Sequence, residues 1–358
     1  MNKKNIFITG ATGLLGAHIS KWFLEKADSY RLILLVRKKN NIDAEKRGIE
    51  ALKKVGVKDS EHFKRVTIIS GEIEKDNFSI SEKEYKWLTE EVDSIFHCSA
   101  ITSFQSSIDE CRRINLTGTL NILHLASSCK KNVLVGHVST SFVLGKKNGI
   151  LKEKVISKLD WEFNNPYEQS KYEAELLISN YREKNFSVII FRPSIIIGDS
   201  QAGKIWNFKL FYEAIRLFSS EVLDVFPGDR LTEHNFIPVD IAAEIICNLA
   251  CKDEAGKVFH VVSPNNLNCY KMLRKASGFF KYKNPKWISL KEYKESRLSF
   301  VQKRIIDPFV PYFNYFGKYD SRKTFEALKK RNISLPKVDE ILLEKMFLYC
   351  RESGYIKK

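Results

Sequence analysis

A short apolar run at residues 5–9 ends in Thr9-Gly10-Ala11-Thr12-Gly13-Leu14-Leu15-Gly16, and apolar residues at helical spacing then continue to Lys26. Strand, glycine loop and helix in that order constrain this chain more than any other feature. Glycines at 10, 13 and 16 permit a tight turn, close backbone approach to a pyrophosphate, and close helix–sheet packing. The first turn of the helix adds free N–H groups and the positive end of its dipole. Thr9, Gly10, Thr12, Gly13, Leu14, Leu15 and Gly16 are therefore candidate contacts to a dinucleotide. The next strand, at 32–36, runs into Arg37-Lys38-Lys39 with no carboxylate. An acidic residue there would favour the 2′-hydroxyl of NAD, whereas a guanidinium suits the 2′-phosphate of NADP. Arg37 thus points to NADP(H).

Further apolar runs at 66–70, 94–98, 133–139 and 187–191 alternate with helical patterns at 13–26, 44–54, 108–129 and 166–184. Short, nearly continuous apolar strands between amphipathic helices describe a parallel sheet covered on both faces, an α/β, Rossmann-type doubly wound fold. After Pro193 the regularity fades, although 238–250 and 268–280 read as helices and 257–262 as one more strand. With 358 residues and about 100–200 residues per domain, we expect a nucleotide-binding unit at 1–200, with 236–265 returning to it. A smaller, discontinuous substrate unit is expected at 201–235 and 266–358.

The 59 Lys plus Arg against 43 Asp plus Glu leave a net charge of +16, which suits nucleic acid, anionic membranes or acidic ligands. Nucleic acid fits worst: the basic residues are scattered, with no Cys/His finger spacing and no ribonucleoprotein-type aromatic motif. The seven cysteines are odd in number and widely spaced, which fits a reduced cytoplasm, and Cys247 and Cys251 lack the neighbours a metal would need. No metal is expected. No apolar run approaches the ~18 residues of a membrane span, and the stretch at 6–8 is too short for a signal-peptide core. A soluble, cytoplasmic chain is expected.

Carbonyl reduction needs a proton donor at the developing alkoxide, and a tyrosine serves if a nearby ammonium lowers its pKa from ~10. Tyr167 and Lys171 lie one helical turn apart on a predicted helix, hence on one face. Tyr282/Lys286 and Tyr319/Lys323 repeat the spacing, but only Tyr167 lies between the fifth and sixth strands, on the cofactor half. The fifth strand runs into Ser139-Thr140-Ser141, where the Thr140 hydroxyl could orient a substrate oxygen.

Taken together, these motifs resemble the extended short-chain dehydrogenase/reductases over roughly residues 5–265. They are the TGxTGxxG loop, His97-Cys98-Ser99-Ala100, Asn115, the Ser-Thr pair, Tyr167-x-x-x-Lys171 and Arg192-Pro193-Ser194. Leu35-Val36-Arg37, the segment 138–145, Gly198, Ile237-Pro238-Val239-Asp240 and residues 259–264 resemble most the thioester reductase and fatty acyl-CoA reductase branch. The resemblance implies Thr140 and Tyr167 as catalytic hydroxyls, with Lys171 holding the nicotinamide ribose. It also implies Glu72 and Ile73 beside the adenine, Ser99 and Ala100 beside the cofactor after the fourth strand, and Pro193 and Ser194 on the nicotinamide side. Glu72 and Ser99 depart from the family's usual Asp and Ala.

The expected activity is NADPH-dependent reduction of an acyl thioester, on coenzyme A or an acyl carrier protein, to aldehyde and possibly alcohol. A ketone or alcohol oxidoreductase, a nucleotide-sugar epimerase or dehydratase, and a non-catalytic NADP(H)-binding regulator remain as alternatives; Arg37 argues against the NAD-retaining epimerases. Residues 309–319 hold six aromatics, which suit an acyl pocket, a peripheral membrane contact or, the favoured reading, the core of the smaller unit.

Overall fold

A computed structural model describes residues 3–146, 149–157, 162–181, 185–220, 222–315 and 317–357. Seven strands form the main sheet: β1 (Lys4–Thr9), β2 (Tyr30–Val36), β3 (Val66–Ser70), β4 (Ser94–His97), β5 (Leu134–Val138), β6 (Ser187–Pro193) and β7 (Val258–Val261). Their order is β3-β2-β1-β4-β5-β6-β7, and every pairing is parallel. The order reverses between β1 and β4. Such a switch point opens a crevice beyond the carboxyl ends of the strands, where doubly wound sheets bind ligands. Thr9 pairs with His97, and His97 with His137, so one register carries side chains across the floor of that crevice.

The sheet is sandwiched by two apolar clusters. One, which includes Ile8, Leu34, Ile189 and Phe259, lies under the helices Leu14–Lys26 and Val239–Leu249, which pack on each other. The other, which includes Phe7, Ile33, Ile95 and Val135, lies under Gly118–Ser128. A third cluster is built mainly from residues 205–356, joined by Phe142, Ile195 and Ile197. Strands Ile195–Ile197, Glu233–Pro238 and Asn266–Asn268 form a separate small sheet beside it.

Several elements differ from expectation. The helix expected at 108–129 is interrupted by a π-helical turn, Arg112–Thr117, between Ile108–Cys111 and Gly118–Ser128. One extra residue in a turn leaves the apolar pattern nearly intact, and such bulges gather at functional sites. Helix Glu82–Glu91 was not anticipated, although Ser81 and Glu84 form the capping box that announces it. The helix at 166 ends at Asn180; Lys184, where the pattern placed its end, lies outside the described residues.

Candidate active site

Gly10 closes β1 at φ +70°, and a Cβ there would stand 2.6 Å from the Cys98 carbonyl carbon. Only glycine lets the loop lie against the end of β4. A Cβ on Gly16 would meet the Gly10 carbonyl oxygen at 2.3 Å, so the helix too is held close to the loop. Gly13 caps Leu14–Lys26 without any side-chain hydrogen bond, leaving the N–H groups of the first turn for a ligand. A cradle that a methyl would fill, under an uncapped helix end, fits the pyrophosphate of a dinucleotide.

Two clefts meet at this loop. The first cleft is lined by Thr9, Gly10, Thr12 and Gly13, by Arg37, Lys39 and Arg47, by Gly71, Ile73 and Glu74, and by Ser99 and Ala100. Glu72 is exposed and lies outside this lining, although Gly71 and Ile73 on either side of it belong. The Thr9 hydroxyl is buried and committed to His97 Nδ1 at 2.8 Å; the ring's Nε2 meets Thr119 Oγ1 at 3.2 Å.

Arg47 is the residue that sequence reasoning missed here. It sits in the first turn of Ala44–Lys54, whose N-terminus Asp43 caps through the Lys46 N–H at 2.7 Å. The Arg47 guanidinium donates to the Arg37 carbonyl oxygen, and burial, followed by the neighbouring Arg37 charge, lowers its pKa. Two guanidiniums in one wall suit an anionic group. A basic residue opening the helix after β2 was the available signal.

The second cleft, about 360 Å³, runs from Leu14, Leu15 and Gly16 past Ala100, Thr140, Tyr167 and Lys171 to Pro193, Ser194 and Phe309. The sheet and helix Pro166–Asn180 bring the three candidate catalytic residues together there. Thr140 ends the segment after β5 and caps a short turn, its hydroxyl accepting from the Phe142 N–H at 3.2 Å. Asn165 caps the helix by accepting from the Glu168 N–H at 3.1 Å, with Pro166 in the first turn. The other two Tyr/Lys pairs lie outside the cleft: Tyr282 is buried in the third cluster, and the Tyr319 hydroxyl meets Ser141 Oγ at 3.1 Å.

The expectation that the Lys171 ammonium lowers the Tyr167 pKa is not what the geometry gives. Burial pushes Tyr167 up to about 12, and the hydrogen bond with Thr140 pulls it back only in part. Lys171 turns toward the strand ends. It donates to the Val138 carbonyl at 2.7 Å and lies 3.5 Å from His137 Nε2. Burial draws its own pKa down to about 8, with Glu175 opposing.

Around these residues the wall is rigid. Asn115, inside the π-helical turn, accepts from the Ile101 N–H at 2.8 Å and donates to the Ile101 carbonyl (3.1 Å) and Ser170 Oγ (2.9 Å). It thereby fixes the loop after β4 to the tyrosine helix. The Arg192 guanidinium is fully buried against Glu175, Nε to Oε1 at 2.9 Å, and Ser139 Oγ donates to the same carboxylate. Glu168, also missed by sequence reasoning, is fully buried beside Tyr167. Burial raises its pKa to about 7, opposed by the Tyr312 hydroxyl and by Asn164. Asn165 in turn donates to that hydroxyl at 2.6 Å, so residues 309–319 reach the active-site helix. Tyr312, Phe313 and Tyr315 are buried and Phe309 half-buried; Phe316 lies outside the described residues.

A family model described as "Male sterility protein", an NAD-binding domain, matches residues 8–246. The chain belongs to that family. Nonribosomal peptide synthetase asaC of Aspergillus flavus is 30% identical over 277 residues, 72% of this chain but only 26% of the synthetase. Probable fatty acyl-CoA reductase 5 of Arabidopsis thaliana is 26% identical over 73% of this chain and 66% of its own. In fold, the chain matches the terminal R domain from the myxalamid PKS-NRPS biosynthetic pathway with a TM-score of 0.82. That match is 24% identical and covers 100% of this chain and 92% of that one. The extended short-chain reductase resemblance, in its thioester and fatty acyl-CoA reductase branch, is thus borne out, as is the Rossmann-type fold. The family model is an NAD-binding one, which supports a nicotinamide cofactor, and the chain spans only a fifth to about a third of the length of the first curated relatives it matches. Among the described residues no helix is long and apolar enough to cross a membrane, and no group of three or more His, Cys, Asp or Glu could hold a metal.

Proposed function

We propose that the protein is an NADPH-dependent reductase of acyl thioesters carried on coenzyme A or an acyl carrier protein. The observation that carries the reading is one cleft joining the uncapped glycine loop, the Thr140–Tyr167–Lys171 cluster and an aromatic wall. Arg37 and Arg47 would receive the 2′-phosphate, Lys171 the nicotinamide ribose, and Pro193 and Ser194 the nicotinamide side. Glu72, Ile73, Ser99 and Ala100 would border the adenine end. Residues 1–200 and 236–265 form the nucleotide unit on this reading, and 201–235 and 266–358 the substrate unit.

A nicotinamide held by Lys171, Pro193 and Ser194 would supply the hydride that the thioester carbon takes up. Thr140 and Tyr167 hold the carbonyl oxygen by hydrogen bonds that strengthen as negative charge develops on it. A neutral phenol is what this step requires, and the raised pKa keeps Tyr167 protonated at neutral pH. Its proton passes to the oxygen to give a hemithioacetal. The C–S bond then breaks as the C=O reforms, the thiol leaving with the electron pair and a proton. A second reduction of the aldehyde would give the alcohol.

The test is NADPH consumption against acyl-CoAs, ketones and UDP-sugars, with Tyr167→Phe alongside. Thioester turnover is expected, falling about 10²–10⁴-fold in the Phe variant. Turnover of ketones alone, or an undiminished Phe variant, would overturn the assignment.

A further inference from the structure

Behind the catalytic cleft lies a second, smaller space of about 50 Å³, walled by Phe226, Phe236, Met272, Leu273 and Phe313. The two spaces share Phe142, Ile195, Leu210 and Phe309, so these four side chains form the passage between them. Phe142 ties the passage to the chemistry: its own N–H donates to the Thr140 hydroxyl, and its ring packs edge-on to Tyr312 at 5.1 Å. Tyr312 stacks on Phe104 at 5.0 Å, and Phe104 lies 6.1 Å from the Tyr167 ring. A carbonyl held between Thr140 and Tyr167 therefore has the passage as its neighbour. The histidine in the wall is used elsewhere, since His234 Nε2 meets the Tyr312 carbonyl at 2.6 Å. Leu210, at the mouth, is held at φ 46°, where a leucine is strained; such strain concentrates at ligand-binding positions.

Resting on the thioester reading, we propose that this space is the pocket for the acyl side chain and that it rewards acyl length only as far as a short chain fills it. The physical basis is volume. One heavy atom needs roughly 10–15 Å³ on this measure, so the space takes on the order of four. Its floor is closed by fully packed side chains, with Phe226 and Phe236 at 1% and 2% exposure. Long chains can extend only back into the open cleft, where added methylenes gain nothing.

The experiment is kcat/KM for acetyl-, butyryl-, hexanoyl- and palmitoyl-CoA, in wild type and in two variants. Wild type should gain roughly fourfold per methylene buried up to hexanoyl and no more at palmitoyl. Ala214→Leu, which projects into the pocket from helix Phe211–Ser219, should cut the hexanoyl-to-acetyl ratio at least tenfold. Met272→Ala should move the optimum toward longer chains. Unchanged thermal midpoints and NADPH affinity would show the variants folded. A gain continuing through palmitoyl, or an unmoved ratio in folded Ala214→Leu, overturns the pocket. If wild type turns over no thioester yet binds hexanoyl-CoA in a manner that Ala214→Leu abolishes, the pocket stands and the reaction assignment falls. If hexanoyl-CoA neither reacts nor binds, both fall.

Discussion

Five histidines sit where protonation is resisted: His97 and His260 are held near 3, His18 and His234 near 4, and His137 well below its usual value. Desolvation is the first cause in each; for His137 the Lys171 charge adds to it. A base whose pKa is depressed in the folded state binds its proton more readily when unfolded, so stability rises with pH and is lost below the unfolded pKa of ~6.5. At pH 5 the unfolded chain gains about 2 kcal/mol per histidine, or about 10 kcal/mol for five. Glu168 works in the opposite sense. Its folded pKa near 7 stands above the unfolded value of 4.5, so it regains about 2 kcal/mol over the same interval. The net loss of about 8 kcal/mol between pH 7.5 and 5 is comparable with the whole stability of a typical domain, ~5–15 kcal/mol. Urea unfolding across that range should show a steep fall, with uptake of about four protons on unfolding. A midpoint that stays constant from pH 7.5 to 5 would refute the reasoning.

The guanidinium pair and the buried ion pair offer two further tests. Arg47→Ala should weaken NADPH binding about 10–100-fold, the worth of one charge-assisted contact, while leaving NADH binding nearly unchanged. Cofactor titration checks it, and equal losses for both cofactors would remove Arg47 from the 2′-phosphate site. Glu175→Gln leaves Arg192 buried beside a neutral partner and should cost about 3–5 kcal/mol by denaturant unfolding. A smaller cost would mean that the Lys152 and Lys154 carbonyls, which also accept from Arg192, suffice to hold it.

What could be read from the chain, and what could not, divides along a physical line. Central strands buried on both faces appear as apolar runs, and β1 to β7 are all legible as such; the edge strand β3, though half-exposed, matches at both ends because its Val66-Thr67-Ile68-Ile69 run is β-branched. The glycine loop was legible because a tight turn under a helix end demands glycine at Gly10 and Gly16 whatever surrounds it. The π-helical turn was not legible, since one inserted residue barely disturbs a 3.6-residue period. Arg47 and Arg37 meet only because the helix after β2 folds back over the strand end. The Glu168–Tyr312 contact joins residues far apart in sequence, and neither neighbourhood carries a mark of it. Segments after Pro193 looked irregular because their apolar positions close into one core only in three dimensions, around Phe226, Phe280 and Phe347.

The tyrosine–lysine pair shows where spacing and environment part. Four residues along a helix place both side chains on one face, and a nearby ammonium was expected to lower the phenol's pKa. Burial acts on the two groups oppositely: it penalises phenolate, so Tyr167 rises, and it penalises ammonium, so Lys171 falls. The result suits reduction better than the expected arrangement would. A phenolate at neutral pH would have no proton to give an alkoxide, whereas a phenol near 12 carries one at every physiological pH. Lys171 near 8 sits close to its titration point, joined to the Val138 carbonyl and His137. On the proposed reading, the proton therefore starts on the tyrosine because burial keeps the phenol neutral, and Lys171, bonded to the Val138 carbonyl and near His137, serves the ribose rather than the phenol's ionisation.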